Sequence, residues 1–527
     1  MVPRFPAGLG NPAHRPAREP GRYQSCSGAL TRPVSVSSIA AMNQRLFFGG
    51  ALHAGTALVA GVWLGASAAT AAGADAGWTP LFDGRSLAGW RAAENPGSFK
   101  VVDGTIVCDG PRAHLFYEGP AGAASFGSFE FEADVLTRPG ANSGLYFHTA
   151  FQDRDWPEQG HEVQINNTAT GEGGYRENKK TGSLYGLRNV YKQIVPDNEW
   201  FRVRIAVHGP AIRVFVNEIQ TVDVVEAAAG RGTFALQCHD PGSRVYFRNL
   251  RVRPLPEPAS PPRPSPALGQ DLAHLHANNY PVIDLHTHLK GGLTLADVLD
   301  RQYRTGINAG VAVNCGLGFA ITNDAGIDQA LEELRHPLVF AAMQAEGREW
   351  MRLFSPAAVA RFDYVFSDAM TFTDERGRRL RLWLKDEVFV EDPQAFMDLL
   401  VARTEAILEQ EPIDILVNPT YLPDVLAADY DRLWTPERRA RVIAAAVKHG
   451  VAIEINDRFR LPSAAFIKQA RAAGVKFTFG TNNGGRADLG QLSHSARMVR
   501  ECDLKWQDFW VPGQQPSRAQ RRLTGGR

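Results

Sequence analysis

The sequence predicts two folded domains of different class, an all-β jelly-roll sandwich followed by an α/β barrel. Three observations carry this. Residues 78–254 alternate apolar and polar residues in short runs between turn signals, a proline-rich run follows, and the remainder repeats strand then helix. At 527 residues the chain is too long for one ordinary core, and 44% hydrophobic with 21% charged residues describes a globular protein. The net charge of +1 supplies no field to gather nucleic acid or anionic lipid, so neither is expected as a partner.

In the first domain, Phe129-Glu130-Phe131-Glu132-Ala133-Asp134-Val135 has the period of two of a half-buried strand, with Phe129 and Phe131 on one face and the acids on the other. Similar runs lie at 144–149, 162–165, 201–207, 212–216, 233–237 and 245–252. Asp83-Gly84, Asp103-Gly104, Pro139-Gly140 and Pro241-Gly242 mark turns between them. No long helical pattern interrupts, which predicts antiparallel sheets. Residues 255–269 form the linker; Pro256, Pro258, Pro261, Pro262, Pro264 and Pro266 predict an extended, semi-rigid spacer.

From 270 to 512 seven strands are expected, at 282–285, 309–313, 339–343, 364–366, 413–417, 452–455 and 476–479. Helical patterns such as Pro393–Gln410 and Pro436–His449 intervene, predicting a parallel sheet, closed as a TIM-like barrel of about seven strands or doubly wound. Residues 513–527, rich in Gln, Arg and Gly, are expected to be a disordered tail.

The N-terminus reads as an address. Arg45, the apolar stretch Leu46 to Leu64 and the small residues around Ala66-Ser67-Ala68 make residues 42–72 a signal peptide, with Met42 as the start and 1–41 either disordered or upstream of that start. A periplasmic or secreted protein without a lasting membrane anchor is the expectation. Cys26, Cys108, Cys238, Cys315 and Cys502 show no CxxC spacing, which argues against a structural zinc site; Cys108 and Cys238 fall in one domain, where buried free thiols are favoured over a bridge.

Chemistry-bearing residues follow from these patterns. Glu162 and Gln164, two apart on a strand, share a face. His286 and His288 stand two apart just after the first barrel strand, so both rings can reach one metal ion. Other barrel strand ends hold Asn314, Glu346, Asp368, Asn418, Glu454 and Asn482.

Both domains carry resemblances. Gly77-Trp78-Thr79-Pro80-Leu81-Phe82-Asp83-Gly84, Asn142-Ser143-Gly144-Leu145-Tyr146-Phe147, Glu162-Val163-Gln164-Ile165, Thr181-Gly182-Ser183-Leu184-Tyr185, Leu236-Gln237-Cys238-His239 and Val245-Tyr246-Phe247-Arg248-Asn249-Leu250 fall in the order of the 3-keto-disaccharide hydrolase family, which this stretch resembles. The resemblance implies a concanavalin-like sandwich acting on a sugar ketone. A C3 carbonyl acidifies the C2 proton, so a positioned base can remove it and expel the C1 oxygen substituent. On that reading Glu162 is the base or a substrate ligand, Gln164 a hydroxyl ligand, and His148 and Tyr185 proton-transfer groups; His148 stands where an Arg is common. No cofactor is required there. The barrel resembles the polymerase-and-histidinol-phosphatase family and, more loosely, the amidohydrolases, which implies a divalent metal on His286, His288 and Glu346, with Asp368 or Glu454 nearby. Thr481-Asn482-Asn483-Gly484 and Asn418-Pro419 depart from that family's pattern, and amides are poorer ligands than imidazole or carboxylate, so a full trinuclear cluster is not expected. A carbohydrate-processing enzyme is the leading expectation. The alternatives are a sugar-binding module that delivers substrate to a metal-dependent barrel hydrolase, and an adaptor with an inert barrel.

Overall fold

The computed structural model describes residues 77–170, 175–374 and 376–524; the expected signal segment 42–72 and residues 1–41 lie outside the described residues. The first strands are β1 (Thr79–Pro80), β2 (Trp90–Ala93), β3 (Phe99–Val102), β4 (Thr105–Cys108), β5 (Ala113–Tyr117), β6 (Phe129–Thr137) and β7 (Asn142–Thr149). They are followed by β8 (His161–Asn166), β9 (Phe201–His208), β10 (Ala211–Val216), β11 (Ile219–Val225), β12 (Thr233–Cys238) and β13 (Val245–Pro254). One antiparallel sheet runs β11-β10-β9-β6-β13-β4-β3, with β1 added on β13, and the other runs β2-β5-β12-β7-β8.

The alternation in β6 works as expected. Phe129, Phe131, Ala133 and Val135 point between the sheets, where Phe131 stacks on Phe234 at 4.6 Å, while Glu130, Glu132 and Asp134 point out and pair with Arg253, Arg251 and Arg202 on the flanking strands. Cys108, Cys238, Cys315 and Cys502 are free and buried.

The Pro-rich segment is strapped to the sandwich, which corrects the expectation of a spacer. Glu257 accepts from Ser128 Oγ at 2.6 Å, and Ser265 exchanges two hydrogen bonds of 2.9 Å with the backbone of Val225. Proline lacks its own N–H, so the residues between the prolines make the anchors.

Beyond it, β14 (Ile283–Thr287), β15 (Asn308–Cys315), β16 (Phe340–Ala345), β17 (Tyr364–Ser367), β20 (Ile415–Leu416), β21 (Ala452–Asn456) and β22 (Phe477–Gly480) close a seven-stranded parallel barrel, since β14 pairs with both β15 and β22. A small hairpin of β18 (Thr371–Thr373) and β19 (Arg379–Arg381) follows β17. Helix Pro393–Gln410 starts on an Asp392 cap, and helix Pro436–His449 runs from a Thr435 cap to Gly450 at φ 63°.

Residues from Gly77 onward belong to one compact unit. Helix Leu295–Thr305 of the barrel packs along β11. The tail also departs from expectation. Arg518–Leu523 is a helix capped by Ser517, and the Arg518 N–H donates to buried Asp414 at 2.7 Å while its guanidinium donates to the Ile413 carbonyl at 3.0 Å. Composition does not register such tertiary anchors. Among the described residues no helix is long and apolar enough to cross a membrane.

Candidate functional site

The outward face of the five-stranded sheet gathers side chains from four adjacent strands. His114 of β5 is in register with Gln237 of β12, and Tyr146 of β7 with Glu162 of β8, so the two-residue strand repeat turns all four to one side. Glu162 accepts from Tyr146 Oη at 2.8 Å and from Gln237 Nε2 at 3.2 Å. Its side chain lies across Gly144, where an added Cβ would stand 2.3 Å from Oε1. Burial pushes the Glu162 acid up to about 7, against the opposing pull of the Tyr146 hydroxyl. Burial also holds His114 down to about 3, so its ring is neutral near pH 7. His114 Nε2 and Gln237 Oε1 are buried without a hydrogen-bond partner. Trp156 stands edge-on to His114 and tilted over His239, 5.6 and 5.0 Å between centroids, and gives the face an aromatic rim. Gln164, one register step from Glu162, donates to Asn142 Oδ1 at 2.6 Å.

The chain between β8 and β9 adds a buried ion pair. Lys179 Nζ lies 3.6 Å from Glu177 Oε1 and 4.3 Å from the centre of the Tyr185 ring. Glu177 Oε2 accepts from Tyr175 at 2.7 Å and from Tyr185 at 3.3 Å. Burial lowers the Lys179 ammonium, and Glu177 and then Glu162 pull it back. The Tyr185 N–H donates to the Glu162 carbonyl at 2.9 Å, which ties this segment to β8.

A second cluster sits at the C-terminal ends of the barrel strands. The His286 and His288 rings are 5.1 Å apart. His286 Nδ1 faces Glu454 Oε1 at 2.6 Å and His288 Nδ1 faces the Ala312 carbonyl at 3.1 Å. The Ala312 carbonyl only accepts, so His288 Nδ1 donates there, while the Glu454 carboxylate holds His286 through its Nδ1. Both Nε2 atoms are buried and without a partner. Glu346 accepts from Asn314 at 2.8 Å; burial and then the nearby Asp368 push its acid up to about 8. A divalent ion fits this donor set only in part: the two imidazoles leave Nε2 atoms without a partner. Among the described residues, however, no three His, Cys, Asp or Glu groups already converge as a metal cage.

Residues 77–253 match the family model of the 3-keto-alpha-glucoside-1,2-lyase-like domain. A candidate glycosyl hydrolase from Parabacteroides distasonis is 21% identical and covers 36% of this chain and 98% of its own, with a TM-score of 0.29. A carbohydrate-binding module from Bacillus subtilis is 15% identical over 31% of this chain and 95% of its own, TM-score 0.22. A histidinol phosphate phosphatase from Lactococcus lactis, complexed with zinc, L-histidinol and phosphate, is 12% identical over 42% of this chain and 94% of its own, TM-score 0.31. No curated protein matches the chain.

In the lyase-like domain the structure brings Glu162, Gln164 and Tyr185 into one neighbourhood but turns His148 away. A register shift where β12 pairs with β7, and a φ of 54° at His148, send that ring toward the core. There it stands edge-on to Phe129 and Phe147, with Nε2 2.8 Å from the Gly127 carbonyl. His114, Tyr146, Gln237, Glu177 and Lys179 are site residues that sequence reasoning missed. His114, Tyr146 and Gln237 were within reach of strand register, since each shares the Glu162 face. In the barrel, Glu454 Oε1 faces the His286 imidazole, and Oε2 accepts from the Asn418 N–H at 2.7 Å and from Asn456 at 3.0 Å. The amide departures have structural roles. Thr481 donates to Asp284, Asn482 to Asn418 at 3.0 Å, and Asn483 brackets the His288 backbone at 2.7 and 2.9 Å. Asp368 accepts from Asn418 at 2.9 Å.

Proposed function

We propose that the lyase-like domain cleaves glycosides oxidised at C3 of the sugar. The observation that carries this reading is a carboxylate with an acid near 7, Glu162, on the outward sheet face beside buried polar atoms that lack partners. The ionised carboxylate removes the C2 proton, and the electron pair flows into the C3 carbonyl as an enolate. The C1–O bond then breaks, the departing oxygen takes a proton from the site, and water adding at C1 completes net hydrolysis; without that addition the reaction ends as an elimination. His114 and Gln237 offer a neutral imidazole and an amide oxygen to sugar hydroxyls, Gln164 a further amide, and Trp156 an aromatic surface. Lys179 and Tyr185 supply a cation and a hydroxyl for developing negative charge. The deciding experiment incubates the full chain with a 3-keto-glucoside in D2O. Deuterium at C2 and cleavage that both vanish in Glu162→Gln are expected. Equal cleavage of unoxidised glycosides would refute the reading.

A second reading, a sugar-binding sandwich serving a metal-dependent barrel hydrolase, is favoured by the two unpartnered Nε2 atoms of His286 and His288. A divalent ion bound there would supply Lewis-acid chemistry, with Glu454 fixing the His286 tautomer. Full-length Glu162→Gln and His286→Ala proteins assayed side by side discriminate: activity lost only in the first supports the sheet site, and only in the second the barrel. Export to the periplasm or medium, with residues 42–72 removed, belongs to the same proposal.

A further inference from the structure

We infer that the barrel is a positioning element of the sheet site: Asn279, on the turn entering the barrel, clamps Asn178 and thereby sets the Glu177–Lys179 pair beside Glu162. This rests on the proposed role of the sheet site. Residues 177–179 have no regular secondary structure, so their backbone groups need partners from elsewhere. Two asparagines provide them, one from each domain. Asn166 of β8 donates to the Glu177 and Lys179 carbonyls at 3.0 and 2.7 Å. From the barrel side, Asn279 accepts the Asn178 N–H through its side chain at 2.9 Å and the Asn178 amide through its carbonyl at 2.8 Å; its own amide donates to the Arg176 carbonyl at 2.6 Å. Gln514 completes the clamp on Asn178 Oδ1 at 3.0 Å, and Trp506 stands edge-on to Tyr175. Asn178 is 3% and Asn279 8% exposed, so water does not substitute for these bonds.

The same segment stays docked further along. Asn189 donates to the His276 carbonyl at 3.0 Å, Asn308 exchanges bonds with the Asn189 carbonyl and the Tyr191 N–H at 2.7 and 3.0 Å, and Lys192 pairs with Asp363 at 3.0 Å. A segment carrying two charged groups and two phenols of the site is therefore shaped by the neighbouring domain. Asn279 touches no reacting atom on this account, and its effect passes through Asn178.

The test uses the full chain and a 3-keto-glucoside, with hydrogen exchange read over residues 175–191. Asn279→Ala should cut kcat by about 10- to 100-fold through misplacement of the charged pair, leave KM within about threefold, and speed exchange in 175–191 but not in β6. Asn279→Asp, which keeps the acceptor for the Asn178 N–H, should recover part of kcat, and Gln514→Ala should give a smaller loss in the same direction. A kcat within twofold of wild type, unchanged exchange in 175–191, or a general rise in exchange across the sandwich would overturn the inference. If the wild-type chain itself turns over no 3-keto-glucoside, the functional reading falls first, and the clamp falls with it only if exchange in 175–191 is also unchanged by Asn279→Ala.

Discussion

The Glu162→Gln substitution is expected to remove turnover while stabilising the sandwich above neutral pH. Burial lifts the Glu162 acid from an ordinary 4.5 to about 7, so folding favours the protonated form. The stability it contributes is full below about pH 4.5 and is lost as pH rises to about 7. At pH 8 the wild-type carboxylate is ionised where its acid form is preferred, at a cost of at most about 3 kcal/mol relative to a solvated glutamate. Gln is neutral at every pH, still accepts from Tyr146, and can donate to Gln237 Oε1, which has no partner at present. The difference in Tm between variant and wild type should therefore be near zero at pH 4.5 and reach roughly 6–12 °C at pH 8 for a domain of this size. Turnover, in contrast, needs the ionised form. Wild-type rate should rise about tenfold per pH unit below 7, leaving about one part in a hundred at pH 5, and the variant should lose about 10²- to 10⁴-fold throughout. Scanning calorimetry and a pH–rate profile read both quantities. A flat profile between pH 5 and 8, or a variant no more stable than wild type at pH 8, refutes the reasoning.

Gly144→Ala would set a Cβ 2.3 Å from Oε1 and 2.8 Å from Cδ and Cγ of Glu162, so that side chain must move, and kcat should fall at least about tenfold in a steady-state assay. Trp156→Ala should raise KM roughly 3- to 10-fold with little change in kcat, as loss of an aromatic surface predicts. Asp284→Ala strips the acceptor for the Thr481 N–H at 2.9 Å, the Thr481 hydroxyl and the His286 N–H at 3.2 Å where β14 meets β22; denaturant unfolding should show a loss of about 2–5 kcal/mol. Purified protein should carry divalent metal that His286→Ala lacks, as measured by elemental analysis; equal metal in both removes the barrel site.

Most strands of five residues or more were legible where one face is buried, because a period of two is a direct consequence of the pleat; β11 was not, since Thr221 and Val222 are buried side by side and break the alternation. The short strands β1 to β4 were not, since two to four residues such as Phe99–Val102 hold too few alternations to stand out. β5, Ala113–Tyr117, was missed as well; it is buried on both faces, as are β7 and β12. The seven barrel strands and both long helices were legible because apolar runs alternate with residues at helical spacing. At the site, Glu162 and Gln164 followed from strand geometry, whereas His148 did not: one residue of irregular register reverses a side chain, and no local pattern marks it. Glu177 and Lys179 sit in irregular chain whose shape is set from a hundred residues away.

The packing of helix Leu295–Thr305 along β11 has a consequence for assembly. β11 ends its sheet, and an uncovered terminal strand is a template on which another chain can add by backbone pairing. With the helix in place that edge is covered, so strand addition at β11 is blocked by the neighbouring domain. Detaching the barrel would open it, and a shortened chain ending near residue 254 should self-associate more as its concentration rises.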